Sequence, residues 1–143
     1  MSQDRGRQRH RQTESTWRFK EALSSEEMVT SQAQSIAQTL VKEGLTSTQL
    51  RRFFHEIRRL QALTGSTEEE FLKARPYVKM VHSKAAYASR NRDFPSSFYK
   101  FLSSNIEDIA SREDFDKFIQ YFEAVVGYFY AYSEGALRRE LQR

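Results

Sequence analysis

Apolar side chains recur every three or four positions in each segment of this sequence from residue 24 onward. No segment alternates apolar and polar residues with the period of two that a half-buried strand requires, and no Asn-Gly or Asp-Gly pair predicts a β-hairpin. The pattern therefore predicts an all-α fold, a compact bundle of about five helices with a core rich in aromatic side chains. The last helix is expected to begin near Ser111 and to run for roughly 25 residues, burying one stripe: Phe115, Phe118, Ile119, Phe122, Val125, Val126 and Phe129.

Capping residues divide the chain into these helices. Ser24 with Glu27, and Thr46 with Gln49, have the spacing of a capping box, which predicts that helices begin there. Gly44 is expected to end the helix that lies between them, because glycine readily adopts the left-handed conformation of a C-terminal cap.

Two prolines indicate further boundaries. Proline lacks an N–H and clashes with the preceding turn, so Pro76 is expected to start a new helix rather than to lie inside one. Pro95 is expected to start another helix, whose apolar residues are Phe98, Phe101, Leu102, Ile106 and Ile109.

The chain of 143 residues is long enough for one domain and too short to expect two. Its first segment is rich in arginine, glutamine, serine and threonine, with one aromatic cluster around Trp17 and Phe19. This composition predicts a disordered, arginine-rich arm over residues 1–23 and a helical bundle domain over residues 24–143. Such an arm is either a solvated tail or an element that binds phosphates without specificity.

The helix predicted over residues 46–60 has an unusually basic polar face, made of Arg51, Arg52, His55, Arg58 and Arg59. A solvated helix usually alternates lysine with glutamate one turn apart, because opposite charges stabilise it and like charges destabilise it. The only acid among these residues is Glu56. The pattern therefore favours a surface that lies against an anionic partner.

A second basic surface is predicted over residues 76–91, where Val78, Val81, Ala85 and Ala88 share the buried side. Residues 46–92 carry ten lysines and arginines against four glutamates, a balance typical of nucleic-acid binding. An exposed tyrosine in this segment offers a face on which a base or sugar can rest. If the two helices pack side by side, they form one positive track, with these candidate RNA-binding residues: Arg51, Arg58, Lys79, Lys84, Tyr87 and Arg90, and as second choices Arg52 and Arg59.

The residues of known catalytic and metal sites are missing from the sequence. There is no cysteine, the three histidines lack metal-ligand spacing, and the five glycines form no phosphate-binding loop. No nucleophile is paired with a base, so we expect a binding protein rather than an enzyme, without a metal or cofactor. No apolar run approaches the roughly 20 residues of a membrane span, and we expect a cytoplasmic protein.

Three segments form an ordered set of motifs: LTSTQLRRFFHEIRRL at 45–60, KAAYASR at 84–90 and FIQYFEAVVGYFYAY at 118–132. The set resembles the small subunit of type III-A CRISPR effector (Csm) complexes. That family begins a basic helix with L-T-x-x-Q-hydrophobic-R and also carries K-x-A-Y-x-x-R and F-E-A-hydrophobic-V-x-Y. Two positions depart from the family: its usual proline just before the second motif is replaced by Ser83, and Gly127 stands where alanine is common, which is expected to loosen a packing contact.

The resemblance implies a function that agrees with the basic surfaces. Several copies of such a subunit stack beside the backbone subunits and the large subunit of the effector, along the channel of guide RNA and target RNA. Base pairing reads the sequence, so the small subunit is expected to hold only the sugar-phosphate backbone. Target cleavage is implied for the backbone subunits, and the signalling and DNase chemistry for the large subunit.

Two other functions remain open from the residues alone. A helix-turn-helix protein would bind duplex DNA through a short recognition helix, for which residues 46–60 are a candidate. A helical adaptor would instead use the aromatic last helix to bind a partner protein and would not bind nucleic acid.

Overall fold

A computed structural model describes the backbone of residues 17–141 and the side chains of residues 17–133. Residues 1–16 of the arm predicted over residues 1–23 lie outside this described part. A 3-10 turn, Phe19–Glu21, precedes the first α-helix, and a π-helical turn, Met28–Gln32, joins the first two. The α-helices are α1 (Ser25–Glu27), α2 (Ala33–Lys42), α3 (Ser47–Leu63), α4 (Glu68–Lys79), α5 (Val81–Ala88), α6 (Ser96–Asp108) and α7 (Arg112–Leu141). Residues 17–141 contain no strand, and the all-α prediction is confirmed.

The core lies along α7, which has its most extensive contacts with α2 and also contacts α3. Every residue of the predicted α7 stripe is buried except Val126, which is half-buried. Phe122 is fully buried, and four aromatic rings surround it at centroid distances of 5.3–6.2 Å. They are the rings of Phe54, Phe98, Phe101 and Phe118. An aromatic-rich core is thus what holds α3 and α6 against α7.

The turn between α2 and α3 forms as the capping residues predict. Gly44 has φ +87°, and its N–H donates to the carbonyl of Val41. The N–H of Leu45 donates to the carbonyl of Leu40. These two bonds close a Schellman cap at the end of α2. At the start of α3, Thr46 Oγ1 accepts from the N–H of Gln49, and the Gln49 side chain accepts from the N–H of Thr46. The basic helix α3 therefore begins at a fully capped terminus.

The prediction that Pro76 starts a helix is wrong, because Pro76 lies inside α4. Its ring removes the N–H that would bond to the carbonyl of Leu72. Both Leu72 and Pro76 are exposed, so water can take the place of the missing donor. The chain turns instead at Met80, where α4 ends and α5 begins. Pro95, by contrast, directly precedes α6 as predicted.

Residues 17–23 belong to the bundle, and their assignment to the arm is corrected. The fully buried amide of Asn105 accepts from the N–H of Phe19 at 2.8 Å and donates to the carbonyl of Trp17 at 2.8 Å. The guanidinium of Arg18 bonds to the carboxylate of Asp108 at 2.8 Å. These partners lie on α6, more than 80 residues away in sequence, so no local pattern predicts them.

Gly127 occupies an exposed position on α7. A Cβ built there has no neighbouring atom within 4 Å. The expected loosening of a packing contact is therefore wrong, because an alanine would gain none among the described residues.

Candidate nucleic-acid interface

The exposed face of α3 carries the arginines that the helical spacing predicts. Leu50, Phe53, Ile57 and Leu60 are buried, whereas all five cationic or titratable residues of the opposite face are exposed: Arg51, Arg52, His55, Arg58 and Arg59. Within the described part of the chain, no carboxylate lies within 4.0 Å of Arg51, Arg52 or Arg58. These three guanidinium groups are thus available to an anion from solution.

Glu56 joins α3 to α5 through two cations. Its carboxylate receives two hydrogen bonds from Arg59, at 2.8 and 3.1 Å, and one from Lys84 of α5 at 2.6 Å. The bonds from Arg59, followed by that from Lys84, outweigh the effect of burial and lower the pKa of Glu56 to about 2. Glu56 is therefore ionised at neutral pH and offsets part of the positive charge on this surface.

A surface groove of about 710 Å³ separates α3 from α5. We call it the α3–α5 groove. Its floor is apolar, formed by Phe53, Phe94 and Ala88, and the rings of Phe53 and Phe94 meet edge-on at 5.8 Å. Arg52, Lys84 and Tyr87 line its rim. Its other polar lining residues are Thr48, Gln49, Glu56, Ser83 and Asn91.

Tyr87 is the most exposed aromatic residue of this surface, with 69% of its area accessible. The guanidinium carbon of Arg90 lies 4.6 Å from the centre of its ring, a cation–π contact that keeps Arg90 beside the groove. This ring therefore has one face next to a cation and most of its surface in solvent.

The structure brings together only some of the predicted RNA-binding residues. Lys84 and Tyr87 line one side of the α3–α5 groove, and Arg90 lies against Tyr87. The second-choice residue Arg52 lines the other side. Arg59, the other second choice, is bonded to Glu56, which also lines the groove. Arg51 and Arg58 are exposed on α3 but do not line the groove. Of the α3 arginines, only Arg52, which the sequence ranked as a second choice, lines the groove.

Lys79 lies apart from this group. Its ammonium donates to the carbonyls of Ile106 and Glu107 at 2.8 and 3.1 Å, at the C-terminal end of α6. Burial, followed by the charge of Arg75, lowers the pKa of Lys79. The cation therefore caps the C-terminal end of α6 and does not line the α3–α5 groove.

Sequence reasoning missed Phe94 of the groove floor and the bridge from Glu56 to Lys84. Glu56 was visible as the lone acid of α3, but its link to Lys84 spans 28 residues. Phe94 follows α5 in a turn, where no periodicity marks it. Within the described residues, no cluster of three or more potential metal-binding side chains occurs. No helix in that same part of the chain is both long and apolar enough to cross a membrane.

Comparison with known protein families gives a match over most of the chain. A family model described as Csm2 Type III-A matches residues 24–135 of this chain. No curated protein and no solved structure matches it. The matched region contains both basic helices and the described core of α7.

Proposed function

Because the chain belongs to the Csm2 family, the small subunit of type III-A CRISPR effector (Csm) complexes, we propose that it holds the sugar-phosphate backbone of guide and target RNA. In this role it is not catalytic and does not read sequence. It acts in antiviral defence, in the cytoplasm, as one part of a ribonucleoprotein.

The observation that carries this proposal is the set of unpaired arginines on α3. Helices normally neutralise such a row with acids one turn away. Here Arg51, Arg52 and Arg58 lack a carboxylate partner among the described residues, and Lys84 and Arg90 lie across the groove from α3. A polyanion that lies along both helices supplies the missing counter-charges.

Phosphate contacts of this kind position a strand without reading its bases. In an RNA-guided complex, pairing between guide and target supplies the sequence information, so a subunit beside the duplex needs only backbone contacts. Binding is therefore expected to be strongly salt-dependent and nearly indifferent to sequence.

The proposed neighbours within the complex are the backbone and large subunits and further copies of this chain. Three large side chains on or next to α4 support a protein contact, because they are about half exposed: Leu72, Tyr77 and Met80, at 46%, 55% and 52%. Tyr77 and Met80 are three residues apart and share a side of the helix, and neighbouring exposed apolar groups typically mark an interaction surface. This surface lies on a different helix from the arginines of α3, so RNA and protein contacts do not compete for them.

A charge-removal experiment tests the RNA contact. In the triple variant Arg51→Ala, Arg52→Ala and Arg58→Ala, the slope of log affinity against log salt should fall by roughly 2, because each lost phosphate contact removes about 0.7 on a single strand. All three positions are exposed on a helix, where alanine is favourable, so the helical circular dichroism and the thermal melt should stay nearly unchanged.

The matched control removes the same charge elsewhere, as Lys20→Ala, Lys73→Ala and Lys117→Ala. Each of these lysines has a carboxylate partner within 4.0 Å, so the control should retain most of the parent's salt slope. Equal losses in both variants would show that only net charge matters. A triple variant that binds RNA like the parent, together with loss of binding on deletion of residues 1–16, would assign RNA binding to the N-terminal arm. Tighter binding to duplex DNA than to RNA would favour the helix-turn-helix alternative.

A further inference from the structure

We propose that the α3–α5 groove takes one unpaired nucleobase of a bound RNA strand, with a neighbouring phosphate held by Arg52 and Lys84 on its rim. This inference rests on the proposed function and goes beyond it, because backbone contacts alone need no pocket. The ligand class is a single-stranded nucleotide segment rather than a paired one.

The groove has the dimensions and the floor that a base requires. Its volume of about 710 Å³ lies within the range of roughly 300–1,000 Å³ typical of small-molecule sites. Phe53 and Phe94, 4% and 7% exposed, form an apolar floor that is fixed by the core beneath it. A phosphate group gains nothing from contact with apolar side chains, whereas a base is buried favourably against them.

Tyr87 provides a stacking ring at the edge of the groove. One side of the ring is occupied by Arg90 at 4.6 Å, and 69% of the residue is exposed. A tyrosine this exposed contributes little to the core, and the adjacent cation attracts the phosphate that follows the base. Tyrosine stacking tolerates every base, which agrees with binding that does not depend on sequence.

The polar groups of the rim suit the edge of an unpaired base. Asn91 carries an amide that both donates and accepts, and the amide nitrogen of Gln49 remains a donor, since its oxygen accepts from Thr46. In a duplex these base edges are already paired and the faces are stacked on their neighbours. A paired base therefore cannot enter, and the groove discriminates single strands from duplexes.

Charge argues for a nucleotide over an apolar side chain of a neighbouring protein. Arg52 has no carboxylate within 4.0 Å among the described residues, and Lys84 is 48% exposed at the other side of the groove. A purely apolar occupant would leave Arg52 partly desolvated without a counter-charge, which is unfavourable, whereas Lys84 already has Glu56 beside it. A phosphate attached to the base removes that cost.

The test compares single-stranded RNA with an abasic RNA of equal length and equal phosphate number, bound to the full chain. Both strands offer the same charges, so a preference for the RNA with bases measures base contacts alone. We expect the parent to bind the normal strand about tenfold more tightly, since one stacked base contributes about that factor.

Two groove variants keep every charge and should reduce this ratio to nearly one. Tyr87→Leu removes the stacking ring, and Ala88→Leu fills the groove from its floor. Two controls should retain the ratio: Tyr87→Phe, which keeps the ring, and Tyr77→Leu, which removes a tyrosine of similar exposure from α4. If Ala88→Leu changes the thermal melt, the comparison of Tyr87→Leu with Tyr87→Phe still tests the proposal, because Tyr87 is exposed.

Equal affinity of the parent for normal and abasic RNA overturns the proposed base pocket. It does not contradict the proposed binding of the sugar-phosphate backbone. A ratio that persists in Tyr87→Leu, or that is lost in Tyr77→Leu, also overturns the base pocket, because the base then lies elsewhere. Absence of binding to either strand overturns the proposed function together with this inference. A tenfold ratio that only the groove variants abolish supports it.

Discussion

Replacing Glu56 by glutamine should change stability and RNA affinity in opposite directions. The carboxylate of Glu56 holds Arg59 and Lys84 at hydrogen-bond distance, so it links α3 to α5 in the free protein. The same carboxylate lies beside the cations proposed to bind phosphate, so it repels RNA. Glutamine keeps the shape of the side chain and removes only its charge.

The stability effect follows from the pKa of Glu56, which falls from 4.5 to about 2. A shift of that size corresponds to roughly 3 kcal/mol. Lys84 and Arg59 are 48% and 59% exposed, so water screens much of this interaction. We therefore expect Glu56→Gln to lower the free energy of unfolding by about 1–2 kcal/mol in a urea titration at neutral pH.

The pH dependence of this difference has a definite sign. A carboxylate whose pKa is lowered by folding stabilises the protein above the unfolded pKa and loses that effect as the pH falls through the folded pKa. The gap between parent and variant should thus be full above about pH 4.5 and should shrink as the pH falls toward about 2. A gap that stays constant over this range would assign the loss to packing instead of charge.

The RNA effect follows from Coulomb repulsion. A phosphate bound to Lys84 would lie roughly 6 Å from the carboxylate of Glu56, where two unit charges in water repel by about 0.7 kcal/mol. Removing this repulsion, and freeing Lys84, should raise the affinity for single-stranded RNA about three- to tenfold. The salt slope should also become steeper by roughly 0.7, because Arg59, released from Glu56, can meet one more phosphate.

Glu69→Gln is the matched control, since Glu69 is an acid of α4 that is 85% exposed and only 4.0 Å from Lys73. It should leave both stability and RNA affinity nearly unchanged. Weaker RNA binding by Glu56→Gln would refute the reasoning above. That result would mean that Glu56 holds Lys84 and Arg59 in the position that phosphate requires.

Three further substitutions test the placement of single residues. Lys79→Ala should lower the free energy of unfolding by about 1–2 kcal/mol in urea, because it leaves two carbonyls at the end of α6 without their donor. Its RNA affinity should stay within about twofold of the parent's. A loss of affinity without a loss of stability would instead support the predicted role of Lys79 in RNA binding. Phe122→Ala should cost about 3–5 kcal/mol, because its fully buried ring contacts four others, and a cost below about 1 kcal/mol would contradict the core described above. Asn105→Ala should cost about 1–3 kcal/mol and speed proteolysis between residues 17 and 23, and unchanged proteolysis would show that this segment is held by other contacts.

The sequence predicts those parts of the fold that local spacing determines. The α7 stripe, the Gly44 cap and the Thr46 capping box each depend on residues within one or two turns, and each forms as expected. The arginine face of α3 is predictable for the same reason, since a helix fixes which side chains share its outer side.

Features that depend on distant contacts were predicted wrongly or not at all. The sequence composition of residues 17–23 resembles a disordered arm, yet Asn105 of α6 binds their backbone. Pro76 is tolerated inside α4 because the unsatisfied carbonyl faces solvent, which depends on the packing of the whole bundle. Lys79 leaves the predicted basic surface because α6 ends beside it.

Whether a lysine or arginine is available to a phosphate depends on the groups that already bind it, so its position on a helix does not by itself predict an RNA contact. Lys79 would lose two carbonyl bonds at the end of α6, and the partly buried carbonyl of Ile106 would then lack its donor. Lys84 gives up one contact with Glu56 at a half-exposed site, where an ion pair contributes little. Arg52 gives up no carboxylate within the described part of the chain. The order of availability to phosphate is therefore Arg52, then Lys84, then Lys79, and this order places the anion at the mouth of the α3–α5 groove.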